Sequence, residues 1–139
     1  MRFLLDTNVV SEARKPHCDT NVAAWLGSQP FGELAISVLT VLEIDIGIRR
    51  LRRRDPSSAA MLQQWLDVKV LGGFDGRILP LDLACVRAVA PMHVPDPKPE
   101  RDAMIAATAL VHGCTVVTRN VSDFASLGVI TLNPWQSAD

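Results

Sequence analysis

The chain opens on Phe3-Leu4-Leu5, a wholly apolar triplet cut short by Asp6-Thr7-Asn8. Successive side chains of a strand point to opposite faces, so a run with no polar alternation has to be covered on both. Strands of that kind belong to parallel sheets, and this one would end in a polar loop at its carboxyl edge. Leu34 to Ser37 and Thr115 to Thr118 repeat the pattern, and Arg77 to Pro80 and Val129 to Leu132 read as two further short strands.

Helices fit between them. The sequence predicts helices over Val9 to Arg14, Thr20 to Leu26 (ended by Gly27), Val38 to Arg53 with Ser37 as N-cap, and Ser58 to Val70 (stopped at Gly72-Gly73). Leu83 to Met92 is expected to be helical. His93 to Pro99, with three prolines, is expected to be a loop, and Pro99 suits the start of a helix running to Gly113. A short helix over Val121 to Ala125 completes the set. Strands alternating with helices imply an α/β fold, a parallel sheet of four to five strands covered on both faces. The 139 residues, with neither repeat nor long linker, make one domain.

Several function classes drop out on composition. Aromatic residues are 5% of the chain and tyrosine is absent, too few for a surface built mainly of base-stacking rings. A formal net charge of −1 excludes a bulk polycation. Contact with nucleic acid would then need a local basic patch or a bound metal. Cys18, Cys85 and Cys114 are scattered and odd in number, which reads as free thiols rather than a disulfide framework or a zinc site. No segment approaches the roughly 20 apolar residues of a membrane span, and the apolar start is too short for a signal peptide. The expected setting is the cytoplasm.

The acidic residues carry the functional signal. Ligands in open α/β sheets bind beyond the carboxyl ends of the strands, which is where Asp6 stands, although helix capping explains it equally well. Glu43 sits in Ile36-Ser37-Val38-Leu39-Thr40-Val41-Leu42-Glu43-Ile44, nearly free of other ionisable groups; its plain alternative is the narrow exposed face of a helix. Asp102 could simply complement a helix dipole. However, Asp102, Ile105, Ala106 and Ala109 share one face, which turns Asp102 inward and leaves Glu100 and Arg101 to solvent. The loop after Thr115-Val116-Val117-Thr118 offers Thr118, Asn120 and Asp123, of which Asp123 could instead cap a short turn. Carboxylates gathered at one sheet edge repel unless a cation neutralises them, and hard cations such as Mg²⁺ or Mn²⁺ favour oxygen ligands. A metal so held suits phosphodiester hydrolysis. Arg49, Arg50 and Arg53, in the basic run that closes the long helix, are candidate RNA phosphate contacts, or else a solvated helix end.

Taken together, Phe3 to Asn8, Ser37 to Ile44, Arg101 to Ala109 and Val117 to Phe124 resemble the PIN domain, and within it the VapC-type toxins of toxin–antitoxin pairs, over nearly the whole chain. The resemblance implies a three-layer α/β/α sandwich and an endoribonuclease. It further implies a divalent-metal site, a homodimer and inhibition by a VapB-like antitoxin. Asp6, Glu43 and Asp102 match the three core acids. Many relatives carry Asp where this chain has Asn120, so the fourth place falls to Asp123, with Asn120, Thr118, Thr7 and Asn8 as supporting positions. Asp6 and Asp102 would bind metal directly, Glu43 directly or through water, and Asp123 at a second metal or by orienting a ligand. Two other readings stand beside this one. An inactive module that keeps the fold for binding RNA or protein draws slight support from Asn120. A phosphatase with Asp6 as nucleophile would need a second acid two residues on, where Asn8 stands.

Overall fold

The computed structural model describes residues 1–136. Five parallel strands, β1 (Phe3–Leu5), β2 (Leu34–Ser37), β3 (Ile78–Leu79), β4 (Thr115–Val117) and β5 (Thr131–Leu132), form a sheet ordered β3-β2-β1-β4-β5. The helices are α1 (Thr7–Ala13), α2 (Thr20–Ser28), α3 (Val38–Arg52), α4 (Pro56–Gln64), α5 (Leu71–Gly73), α6 (Leu83–Val89), α7 (Glu100–His112) and α8 (Val121–Phe124). Alternate residues of β1 feed two cores. Phe3 and Leu5 join Val9, Ile44 and Ile48 on one face, while Leu4 joins Ile105, Ala106 and Phe124 on the other. Both faces of the central strand are therefore dry, as its unbroken apolar run requires, and the α/β/α sandwich follows.

Local chemistry sets most boundaries. The Ser37 hydroxyl accepts from the Leu39 amide at 3.1 Å and from the Thr40 amide at 3.3 Å, which starts α3. Asp55 caps α4, with Pro56 in its first turn. Gly113 ends α7 at φ 67°. That left-handed cap lets the Cys114 amide reach the Ala109 carbonyl at 2.8 Å.

Two expected stops fail, for a shared reason. Gly27 lies inside α2; the helix ends at Gln29, held extended (φ −100°, ψ 139°) by Pro30. Gly72 and Gly73 likewise remain helical. Between α4 and α5 the chain widens into a π-helical stretch, Trp65–Val70, and the whole arm turns only at Phe74. Glycine weakens a helix without ending it unless φ turns positive. Elsewhere, α1 begins two residues earlier than expected, directly behind Asp6, and the helix expected to reach Met92 gives way to a 3-10 turn at Ala90–His93.

Candidate active site

The strand order reverses direction between β1 and β4, which makes the crevice beyond their carboxyl ends the topological switch point. Leu5 is paired with Val117, so the next residues of each strand, Asp6 and Thr118, face one another there. The Asp6 amide donates to the Val117 carbonyl at 2.9 Å, and the Thr118 hydroxyl donates to Asp6 Oδ2 at 2.8 Å. Thr118 Oγ1 also accepts from Asn8 Nδ2 at 3.4 Å and from the Asn120 amide at 3.0 Å. A hydroxyl has one hydrogen and two lone pairs. All three are used, so the hydrogen can go only to Asp6.

Asp6 Oδ1 accepts from the Thr7 amide at 2.8 Å, so Asp6 caps α1 as well as lying in the crevice. Burial nonetheless pushes its carboxyl above its ordinary value. The bonds from Thr118 and Thr7 oppose that shift without reversing it, and the charge of Asp123 adds to it.

Glu43, in the second turn of α3, receives the Thr7 hydroxyl at 2.8 Å. Thr7 Oγ1 also lies 3.2 Å from Oγ1 of the buried Thr40. A carboxylate cannot donate, so the Thr7 hydrogen belongs to Glu43 and the Thr40 hydroxyl supports Thr7 from below. Thr40 had no place among the expected site residues, yet its position three before Glu43 on one helix face signals it. Arg101, expected to meet only solvent, reaches back to Glu43 Oε2 at 3.9 Å.

Asp102 is half-buried in the first turn of α7, above Ile105, Ala106 and Ala109, each at most 1% exposed. Its carboxyl too is held above its ordinary value, first by burial and then by the charges of Asp6, Asp123 and Glu43. Asp123 is exposed in the first turn of α8. It does not cap that helix, whose cap position is Asn120. Four carboxylates from four separate elements thus share one field at the carboxyl edge. Thr7, Asn8 and Thr118 lie in the hydrogen-bond network around them; Asn120 joins it through its backbone amide. Arg49, Arg50 and Arg53 stand apart. Arg49 is paired with Asp45 at 3.2 Å. Arg53 lies well beyond Glu43, about 15 Å further along by the helical rise.

Among the described residues, no group of three His, Cys, Asp or Glu side chains is arranged to hold a metal ion. Asp6 has both oxygens turned onto protein donors, and Glu43 is turned onto Thr7. The donor chemistry still fits a hard cation. It is all oxygen and in excess negative charge, and Mg²⁺ retains several waters while binding through one or two carboxylates.

The PIN domain family matches residues 3–129. A VapC ribonuclease of Sinorhizobium fredii is 36% identical, covering 98% of this chain and 99% of its own length. The toxin FitB of Neisseria gonorrhoeae is also 36% identical, over 96% of this chain and 98% of its own. The crystal structure of FitAcB from that organism superposes with a TM-score of 0.88 at 34% identity, covering 96% of this chain and 99% of the other. With the sheet order, the crevice and these likenesses in agreement, the chain belongs to the PIN-domain family.

Proposed function

We propose that this protein is a metal-dependent endoribonuclease, the toxin of a toxin–antitoxin pair, which hydrolyses phosphodiester bonds in tRNA, rRNA or mRNA. The observation that carries the reading is the shared field of the carboxylates: Asp102 lies under the charges of Asp6, Asp123 and Glu43 at once. A fold gathers like charges in a half-buried crevice only against a cost, which a bound cation removes. Relatives named as a ribonuclease and as a toxin support the choice of substrate and role.

Each residue's part is carried over from the PIN-domain motifs. Asp6 and Asp102 would hold the cation directly, Mg²⁺ or Mn²⁺ serving the same donor set. Glu43, steadied by Thr7, holds it through a water or positions the attacking water. Asp123, the most exposed of the four, supports a second ion or orients a ligand. A bound divalent cation supplies an activated water and stabilises the charge developing on the phosphoryl oxygen. The protein partner is a VapB-like antitoxin, and the toxin itself is a homodimer.

The test uses purified protein freed of antitoxin, incubated with total bacterial RNA in Mg²⁺ or Mn²⁺ and again in EDTA, beside Asp6→Asn. Discrete products that need both metal and Asp6 are the expected result. A folded wild type that neither cleaves RNA nor binds metal would leave a binding module in the place of the nuclease.

A further inference from the structure

A groove of about 290 Å³ leads away from the acidic crevice between α1 and α3. Its polar rim is Thr7 and Ser11 of α1 with Arg14 at that helix's C-cap, and Glu43 of α3 with Arg54 just beyond the helix end; Gly47 opens the α3 wall, and the floor is apolar, with Ile48, Leu62 and Trp65 in it. The spacings are those of single helical stripes, seven residues on one side and eleven on the other, so both walls face the same channel. Both helices start at the carboxyl edge of the sheet. The groove is therefore acidic at its mouth and basic at its far end, which by the helical rise lies about 10 Å from Thr7 at Arg14 and about 16 Å from Glu43 at Arg54.

Three features mark it as built for a polyanion. Arg14 and Arg54 are exposed, and among the described residues neither guanidinium has a carboxylate within 4.0 Å. Arg14 lies over the Trp65 ring, 5.7 Å from its centroid. That stacking steadies the cation at the groove. Gly47 leaves space in the wall: a Cβ there would meet nothing within 4 Å.

We infer that this groove carries the single-stranded RNA next to the scissile bond, with Arg14 and Arg54 binding its phosphates and Gly47 making room for the chain. The inference rests on the nuclease reading above, and it joins Arg54, the last residue of the basic run, to Arg14, which lies outside that run. A polyanion fits because the acidic mouth repels phosphate unless a cation is bound there, whereas the far end attracts it unaided. One substrate then spans both ends, the reacting phosphate at the carboxylates and its neighbours at the arginines.

Gly47→Leu is the decisive variant. It replaces a helical glycine whose added Cβ would meet nothing within 4 Å with a good helix former, so the fold is retained, and Gly47→Ala, which adds that Cβ alone, controls for any effect on Glu43 one turn before it. Anisotropy of a labelled single-stranded oligoribonucleotide of mixed sequence, in EDTA to prevent cleavage, reads binding by itself. Binding to Gly47→Leu should weaken on the order of tenfold. In Arg14→Gln/Arg54→Gln the slope of log K against log salt should fall by about 1.4, the loss of two single-strand phosphate contacts. Cleavage of total RNA in Mg²⁺ should fall in both. If the wild type cleaves while both variants bind and cleave as it does, the groove inference is overturned and the nuclease stands. If those variants instead escape inhibition by the antitoxin, the groove belongs to the protein partner. A folded wild type that neither cleaves RNA nor binds metal removes the nuclease reading and the groove inference with it.

Discussion

Asp6, Asp55 and Asp82 each cap a helix through the side chain, and the contrast among them separates capping from chemistry. Asp55 accepts the Ser58 hydroxyl and amide and Asp82 the Cys85 amide, both near the surface, and those bonds hold their carboxyls below the ordinary value. Asp6 makes the same kind of bond and is pushed the other way. The stability consequences are opposite too. A lowered carboxyl stabilises the fold above its unfolded pKa and loses that contribution as pH falls. A raised one, as in Asp6 and Asp102, leaves the folded protein holding more protons than the unfolded chain. Its cost to stability therefore grows as pH rises from about 3.8 through the folded value. Asp102→Asn should therefore melt above the wild type at pH 7 in EDTA, the gap closing towards pH 4, while cleavage activity is lost. A variant that melts below the wild type at both pH values would contradict this. Thr118→Val keeps the shape but strips Asp6, Asn8 and the Asn120 amide of their shared partner. Urea denaturation should show a loss of about 1–3 kcal/mol, and cleavage should drop on the order of 10–100-fold, with Thr118→Ser restoring most of both.

At the scale of elements, the alternation of strands and helices was legible because both cores demand it. The strands needed apolar runs, and Ser37 and Pro99 sit beside helix starts for reasons written in their own chemistry. Helix ends were less legible at Gly27 and Gly72-Gly73, since a glycine's meaning depends on a φ that only the folded chain reveals. The positions of Asp6, Glu43 and Asp102 could be read from strand ends and helix faces. Arg14 could not, because its relevance depends on how α1 is set against α3. One pair of substitutions checks the glycine argument. Gly27→Ala, in a helical position with open space around it, should raise stability by about 0.5–1 kcal/mol. Gly113→Ala, forced to φ 67°, should lower it by a comparable amount or more. Chemical denaturation of both against the wild type reads the signs directly, and equal signs would refute it.

For the molecule as a whole, the order β3-β2-β1-β4-β5 is what no local pattern discloses, and it is what brings the four carboxylates together. Their mutual repulsion is the cost that a bound cation would relieve under the proposed function. Mg²⁺ or Mn²⁺ at about 100 times its Kd should stabilise the wild type by about 2.7 kcal/mol, visible as a rise of several degrees in Tm. The rise should be much smaller in Asp6→Asn, and calorimetric scans with increasing metal would decide it.

The bond from Thr118 to Asp6 joins residues 112 positions apart. On the ribosome, the first strand emerges early and waits through most of translation for the strand that completes the crevice. Until then Asp6 lacks the Thr118 hydroxyl, and neither α7 nor α8 has delivered its carboxylate. With the proposed active site spread over the chain in this way, the protein should be silent while it is being made. The RNA around it during synthesis, its own message included, meets an active enzyme only once nearly the whole polypeptide has been built.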